Sequence, residues 1–348
     1  MTIALFRDWP RVPLRLKEPV LIPAERANQY PMLKADLITI GMVIGPAFRE
    51  YDLAAGRAQN SFRVQQVALI CVSALTTAFG AVQAAFRHDL WPGIVVAVLG
   101  VLAAAIAGLG QERAAQRDYL DQRTRAERLR AAAFAYLGEL SPYDNQDRKA
   151  RLIAAVADVA EGREPAVSSP DGAPQAGGRE AGPGYGQADA SKGERAKQFA
   201  ALYAEDRIQD QLGFYHDRRT AAERARDQAI HAKWALSTLA AIAGSVGAAV
   251  SDWRAGLAIA AAFLAAAATA VATYQSLYGY PRLAKIYHDA ERSLSALNAA
   301  GAGFNADLLP EEIRAVADRV ESIFRQENGQ WGQLMQHSAE AGPHSGTQ

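Results

Sequence analysis

Two pairs of uncharged apolar blocks interrupt an otherwise polar chain. The first pair runs Val67–Phe86 and Trp91–Gly110, joined by the four residues Arg87-His88-Asp89-Leu90. Each block has about the twenty residues that an α-helix needs to cross a bilayer. The joint is too short to hold a domain, so residues 67–110 predict a transmembrane helical hairpin. The second pair, WALSTLAAIAGSVGAAV and AGLAIAAAFLAAAATAVATY, flanks the tip SDWR and predicts another hairpin over 234–274. No Asp, Glu, Lys or Arg lies inside any of the four blocks, whereas a soluble amphipathic helix keeps a charged outer face. The second pair is rich in alanine, which gains less from transfer into lipid. Trp91, Trp234 and Trp253 stand at block edges, where the amphipathic indole ring favours the headgroup layer.

Outside the blocks the period is helical. From Pro46 a polar helix leads without a breaker into Val67. After Gly110, Leu129, Ala133, Tyr136, Leu137 and Leu140 recur on one face of a helix that ends at the turn Ser141–Asn145. A shorter helix follows through Leu152, Ile153, Val156 and Val159. Residues 163–193 are rich in Gly, Pro, Ala and Ser and cannot bury enough apolar surface to offset ordering, which predicts a flexible linker. Beyond it a long polar helix carries Ile208, Leu212 and Tyr215 on one face, and the helix after Pro281 places Leu283, Ile286, Ala290, Leu294 and Leu297 together.

The expected fold class is therefore all-α and integral to a membrane, with four transmembrane helices in two hairpins and long helical extensions. The expected divisions are an irregular N-terminal segment 1–45, broken by Pro10, Pro13, Pro19 and Pro23, a first unit 46–162 and the linker 163–193. A second unit 194–300, a C-terminal helix within 301–326 and a disordered tail 327–348 complete the chain.

Charge adds the topology. Lys plus Arg equals Asp plus Glu at 37 each, so no nucleic-acid partner is expected. The basic residues are unevenly placed. Arg49, Arg57 and Arg63 precede the first block, and six arginines from Arg113 to Arg130 follow the second. Arg218, Arg219, Arg224, Arg226 and Lys233 precede the third, and Arg282, Lys285 and Arg292 follow the fourth. Only Arg87 and Arg254 occupy the tips. The positive-inside rule then puts both termini and the linker in the cytoplasm. Cys71 is the single cysteine, which excludes a disulfide framework or a cysteine zinc cluster within one chain. The first twenty residues lack a continuous apolar core, so no cleaved signal peptide is expected.

Candidate chemistry is sparse. The sequence has no Gly-rich phosphate loop, no H-E-x-x-H and no G-x-S-x-G, and its six histidines lack ligand spacing. No enzyme activity, cofactor or metal is expected. Ala261, Ala265, Thr269 and Thr273 line one stripe of the fourth block, and Thr76 and Gln83 offer polar groups in the first. Small residues at four-residue spacing let helices approach closely; the same positions could face water in a pore assembled from several copies. Arg207, Gln211 and Tyr215 before the second hairpin, with Tyr278 and Tyr287 after it, form either a ligand cluster or a packing seam.

The segment DRIQDQLGFYHDRRTAAERARDQAIHAKWAL, the hairpin, and then Tyr274, Tyr278 and Tyr280 leading into RLAKIYHDAERSL resemble the SLATT domains, the SMODS- and SLOG-associating two-transmembrane effectors of bacteria. Arg207, Gln211 and Tyr215 carry the match, with the short tip and the trailing amphipathic helix. YLDQRTRAERLRAAAFAYL stands where that trailing helix would be in the first unit, which looks like a divergent second copy, so the resemblance covers roughly 15–165 and 190–300. It implies an inner-membrane effector of a bacterial antiviral system, oligomerising to perforate the membrane. The chain has no nucleotide-synthase or SLOG domain of its own, so the trigger is expected from a separate partner or a diffusible nucleotide. The competing expectation is a membrane-anchored scaffold or sensor without pore activity. A transporter fits less well, because no charged intramembrane residue marks a substrate path.

Overall fold

The computed structural model describes residues 4–7, 9–11, 18–109, 112–163, 185–297, 312–313 and 315–324. Its regular elements are all helical: α1 (Arg26–Gln29), α2 (Lys34–Val43), α3 (Gly45–Ala85), α4 (Trp91–Leu109), α5 (Glu112–Leu137), α6 (Arg148–Ala160), α7 (Tyr185–Tyr203), α8 (Asp210–Ala249), α9 (Arg254–Tyr278) and α10 (Tyr280–Leu297). Residues 312–313 and 315–324 form a further C-terminal helical segment.

The longest element, α3, takes Pro46 in its first turn, where the missing amide costs nothing. At 1.5 Å per residue its 41 residues reach about 60 Å, so one helix carries the polar entry and the first apolar block. It packs along α4, α5 and α9, and α8 packs along α9 and α10. The α3–α9 seam joins the two apolar pairs, with Phe79 and Phe263 edge-on at 6.0 Å.

Two cores follow from this layout. A small one closes the seam where the apolar blocks begin, uniting Val67, Ala222, Ala225, Ala229, Tyr274 and Tyr278. A large one lies further from the blocks, where Leu129, Ala133, Leu137 and Leu152 of the first unit meet Tyr203 and Tyr215 of the second and Ala317 and Val320 of the C-terminal segment. Conversely, α4 and the residue before it are almost uncovered: Leu90 is 84 % exposed, and Ile94, Val98 and Val101 of α4 all face outward. Trp234 and Trp253 are 67 % and 69 % exposed. So large an apolar surface marks contact with lipid or another protein.

Three stretches are long and apolar enough to cross a membrane: within Gly45–Ala85, Trp91–Gly108, and within Ser251–Leu297. The apolar end of α8 from Trp234 to Ala249 is not among them. Sixteen residues rise only about 24 Å against a hydrocarbon core of about 30 Å. Ala229, on the turn before Lys233, packs in the seam core with Val67 and Tyr274.

Three boundaries differ from the sequence reading. The N-terminal segment expected to be irregular forms α1 and α2, because Leu33, Leu37, Ile40, Ile44 and Phe48 recur on one face and bury it in the large core. Helix α7 begins at Tyr185, inside the span read as linker, whose residues 164–184 lie outside the described part, as does the tail 327–348. The polar helix of the second unit is also not uniform: a π-helical segment, Ala204–Gln209, separates α7 from α8.

Candidate functional site

Two places gather the residues with chemical capacity. The first is a groove of about 390 Å³ between α3 and α9, lined by Gln66, Ser73 and Thr77 on one wall and Ala265, Thr269 and Thr273 on the other. Thr269 and Thr273 are exposed and each donates its hydroxyl to the carbonyl four residues earlier, Ala265 O at 3.0 Å and Thr269 O at 2.9 Å. Thr77 does the same to Ser73 O at 3.0 Å. Back-bonding satisfies a hydroxyl in an apolar setting while leaving its lone pairs open to water.

The other sequence candidates lie apart from this groove. Ala261 sits one turn along α9 from Ala265, outside the lining. Thr76 bonds Val72 O at 2.8 Å, and Gln83 reaches toward α4 beside Gly93. The groove-lining hydroxyls on α3 are thus Ser73 and Thr77, the latter one position from the residue that sequence reasoning named. One residue rotates a helical side chain by about 100°, and nothing in the apolar pattern fixes which hydroxyl meets α9.

The second place is built around Arg207. The π-helical segment carries it into the large core, where it is 2 % exposed. A π-turn shifts the face that follows, and such turns gather at functional sites. Arg207 makes a two-pronged pair with Glu321, Nε to Oε1 and Nη2 to Oε2, both at 2.9 Å. Tyr203 donates its hydroxyl to the same Oε1 at 2.9 Å. Glu127 of α5 lies 3.7 Å from the guanidinium. Phe324 covers one face of the guanidinium at 4.1 Å and Phe134 stands at 5.6 Å. One arginine therefore joins the first unit, the second unit and the C-terminal segment.

Electrostatics agree with a closed ionic node. Burial alone would push the Glu127 carboxyl up, but the guanidiniums of Arg130, Arg207 and Arg123 outweigh it and hold it below the usual carboxylate range. Burial, then the Glu321 charge, push the Tyr203 hydroxyl well above the ordinary tyrosine value, so it stays protonated as a donor. Space beside Arg207 amounts to about 10 Å³, at most enough for one water.

Of the five residues proposed as a cluster, Arg207, Gln211 and Tyr215 come together here. Tyr287 reaches them through Tyr215, at 6.1 Å between rings. Tyr278 stands in a neighbouring cavity, stacked on Tyr280 at 5.6 Å with Arg63 5.4 Å from its ring centre. Sequence reasoning missed Glu321 although a signal was present. It follows Ile313 and Ala317 at four-residue steps, a carboxylate on an apolar face, and a buried charge needs a partner.

A second ionic node joins the same units. Asp36 of α2, 5 % exposed, holds Arg148 of α6 and Arg195 of α7, each at 2.6 Å. Among the described residues no group of His, Cys, Asp and Glu is placed to hold a metal ion.

Comparison with known proteins divides the chain where its architecture does. Residues 203–331 match the family model described as SMODS and SLOG-associating 2TM effector domain 1, a SLATT domain. Residues 47–151 match a different model, described as a protein of unknown function, DUF4231. Neither a curated protein nor a solved structure matches the chain. The matched SLATT region takes in Arg207, α8, α9, α10 and Glu321, whereas Glu127 and Phe134 of the node lie in the other matched region, so the node bridges the two.

Proposed function

We propose that this chain is a non-enzymatic effector of the bacterial inner membrane that perforates it as a homo-oligomer when a nucleotide-signalled conflict system is triggered. The observation that carries the reading is the hydroxyl-lined groove where α3 of one unit meets α9 of the other, in a surface otherwise apolar and uncovered. Both pairs would span as hairpins, with the basic flanks and both termini in the cytoplasm. The third block would reach full span by starting near Ala229, with Lys233 extending its ammonium to the interface. The first unit would be a divergent copy of the second, since α3, α4 and α5 repeat the order of α8, α9 and α10.

In this reading the large cytoplasmic core holds the apolar helices in a resting arrangement, and a signal from a partner loosens it. Copies then associate so that Thr77, Thr269 and Thr273 face a shared aqueous path. Purified chain in liposomes of bacterial polar lipids, loaded with a self-quenching dye, tests this directly. Dye release is expected, and the triple substitution T77V/T269V/T273V should reduce it severalfold at equal incorporation. Release unchanged by that triple, or intact liposomes together with harmless overexpression, would favour the scaffold reading instead.

A further inference from the structure

Residues 4–11 belong to neither matched region, yet the turn Ala4–Phe6 sits where the two units meet. Leu5 is 4 % exposed and shares the seam core with Val67 of α3, Ala225 and Ala229 of α8, and Tyr274 and Tyr278 of α9. Both polar groups of its backbone are met by side chains. Leu5 N donates to Gln228 Oε1 at 2.9 Å, and the Tyr280 hydroxyl donates to Leu5 O at 3.1 Å. Further along, the Asn60 side chain of α3 grips the backbone of Arg11, accepting from its N–H at 2.9 Å and donating to its carbonyl at 3.1 Å. A side-chain amide offers both a donor and an acceptor, so it can answer both groups of one residue's backbone. One short strap thus fastens α3 of the first unit to α8, α9 and α10 of the second.

The strap lies across one end of the hydroxyl-lined groove. That groove stops at Gln66 on α3 and Thr273 on α9, and their chain neighbours Val67 and Tyr274 share the core of Leu5. Trp9 stacks on the Tyr274 ring at 5.8 Å, and Phe6 stands edge-on to Trp9 at 5.4 Å. The hold is local and light. Among the described residues of the strap only Leu5 is buried, and its regular structure is one three-residue turn. A segment with so few buried contacts opens far more often than the packed helices beneath it. Phe6 and Trp9 stay 47 % and 42 % exposed, and aromatic rings at the edge of an apolar block favour the headgroup layer, which gives a released strap a second resting place.

We infer that residues 4–11 form a releasable strap that holds the two walls of the groove together, and that undocking of Leu5 lets α3 and α9 part at that end. The hold on the walls stands on these contacts alone; the strap's role as a restraint on the pore rests on the function proposed above.

The test uses the full chain with Cys71 replaced by alanine and spin labels at Ser61 of α3 and Ser276 of α9, both exposed. In nanodiscs, pulsed dipolar spectroscopy should give one narrow distance. Leu5→Asp should broaden it toward longer values and speed amide exchange of residues 4–11 at least tenfold. N60L/Y280F removes three of the four side-chain bonds to the backbone of Leu5 and Arg11 and puts no charge in the core. It serves should Leu5→Asp misfold, and it should broaden the distance in the same direction. In the liposome assay either variant should release dye severalfold faster than wild type. A chain cross-linked through R11C/N60C should release it severalfold more slowly than the same chain reduced. A wild-type distance that is already broad, or N60L/Y280F matching wild type, overturns the strap. Equal release from cross-linked and reduced chains overturns its role as a restraint. Widened distances with intact liposomes throughout would keep the strap and dismiss the pore.

Discussion

Removing one carboxylate should free the C-terminal segment. In Glu321→Ala, Arg207 loses both 2.9 Å bonds and Tyr203 loses its acceptor, while the guanidinium stays 2 % exposed. Breaking a buried pair by deleting one partner costs about 3–5 kcal/mol. Glu127, at 3.7 Å, remains to answer part of the charge, which points to the lower end, about 3 kcal/mol. Since about 1.4 kcal/mol is a factor of ten, amide protection of residues 315–324 should fall by roughly a hundredfold. Hydrogen exchange read by mass spectrometry on the chain in nanodiscs resolves that change by segment. Peptides from α4, remote from the node, should be unaffected. The double variant R207M/E321L separates charge from packing. Its apolar side chains fill the same space, and Glu127 keeps its 2.9 Å partner Arg130, so protection should return to within about tenfold of wild type. Unchanged exchange in Glu321→Ala, or a double variant as loose as the single, would refute the account of the node.

Other outcomes follow from the same geometry. Glu127 is held below its ordinary value of 4.5, so it stabilises the fold above that value and loses this contribution as pH falls through the lower folded value. The midpoint difference between wild type and E127Q should accordingly be level from pH 7 to about 5 and shrink below about 4.5; a difference that grows in acid contradicts the sign. Gly138→Ala would bring a Cβ within 2.6 Å of the buried Phe199 ring and should destabilise by about 1–3 kcal/mol, read as a lowered urea midpoint. Gly247→Val would press on Leu257, whose Cβ lies 2.9 Å from where a side chain would begin, and should part α8 from α9. A cysteine pair placed across that seam should then cross-link more slowly than in the parent.

Helix content and three of the four apolar spans were legible because they rest on local periodicity and on the absence of charge over about twenty residues. Buried faces such as Leu129, Ala133 and Leu137 follow from 3.6-residue spacing alone. The span Leu33–Phe48 repeats that spacing but sits behind four prolines, which hid it. The node was half legible: Arg207 and Tyr215 stood out, but their register depends on a π-turn that has no sequence signature. Glu127 and Glu321 lie 80 and 114 positions from Arg207, and no local rule joins residues so distant. The docking of Leu5 escaped notice for the same reason, since Gln228 and Tyr280 lie 223 and 275 positions away.

The small 3₁₀ turn Ala4–Phe6 carries a consequence for synthesis. Leu5 accepts a hydrogen bond from the Tyr280 hydroxyl at 3.1 Å and donates its amide to Gln228 at 2.9 Å, and Leu33 shares a core with Phe324. Translation at about 5–20 residues per second separates Leu33 from Phe324 by roughly fifteen to sixty seconds. The first apolar pair emerges long before the late partners of its flanking helices exist. During that interval the apolar faces of α2 and α5 stand without the partners that cover them in the large core. The large core, which draws on residues from Leu33 to Phe324, therefore closes only after nearly the whole chain has been made.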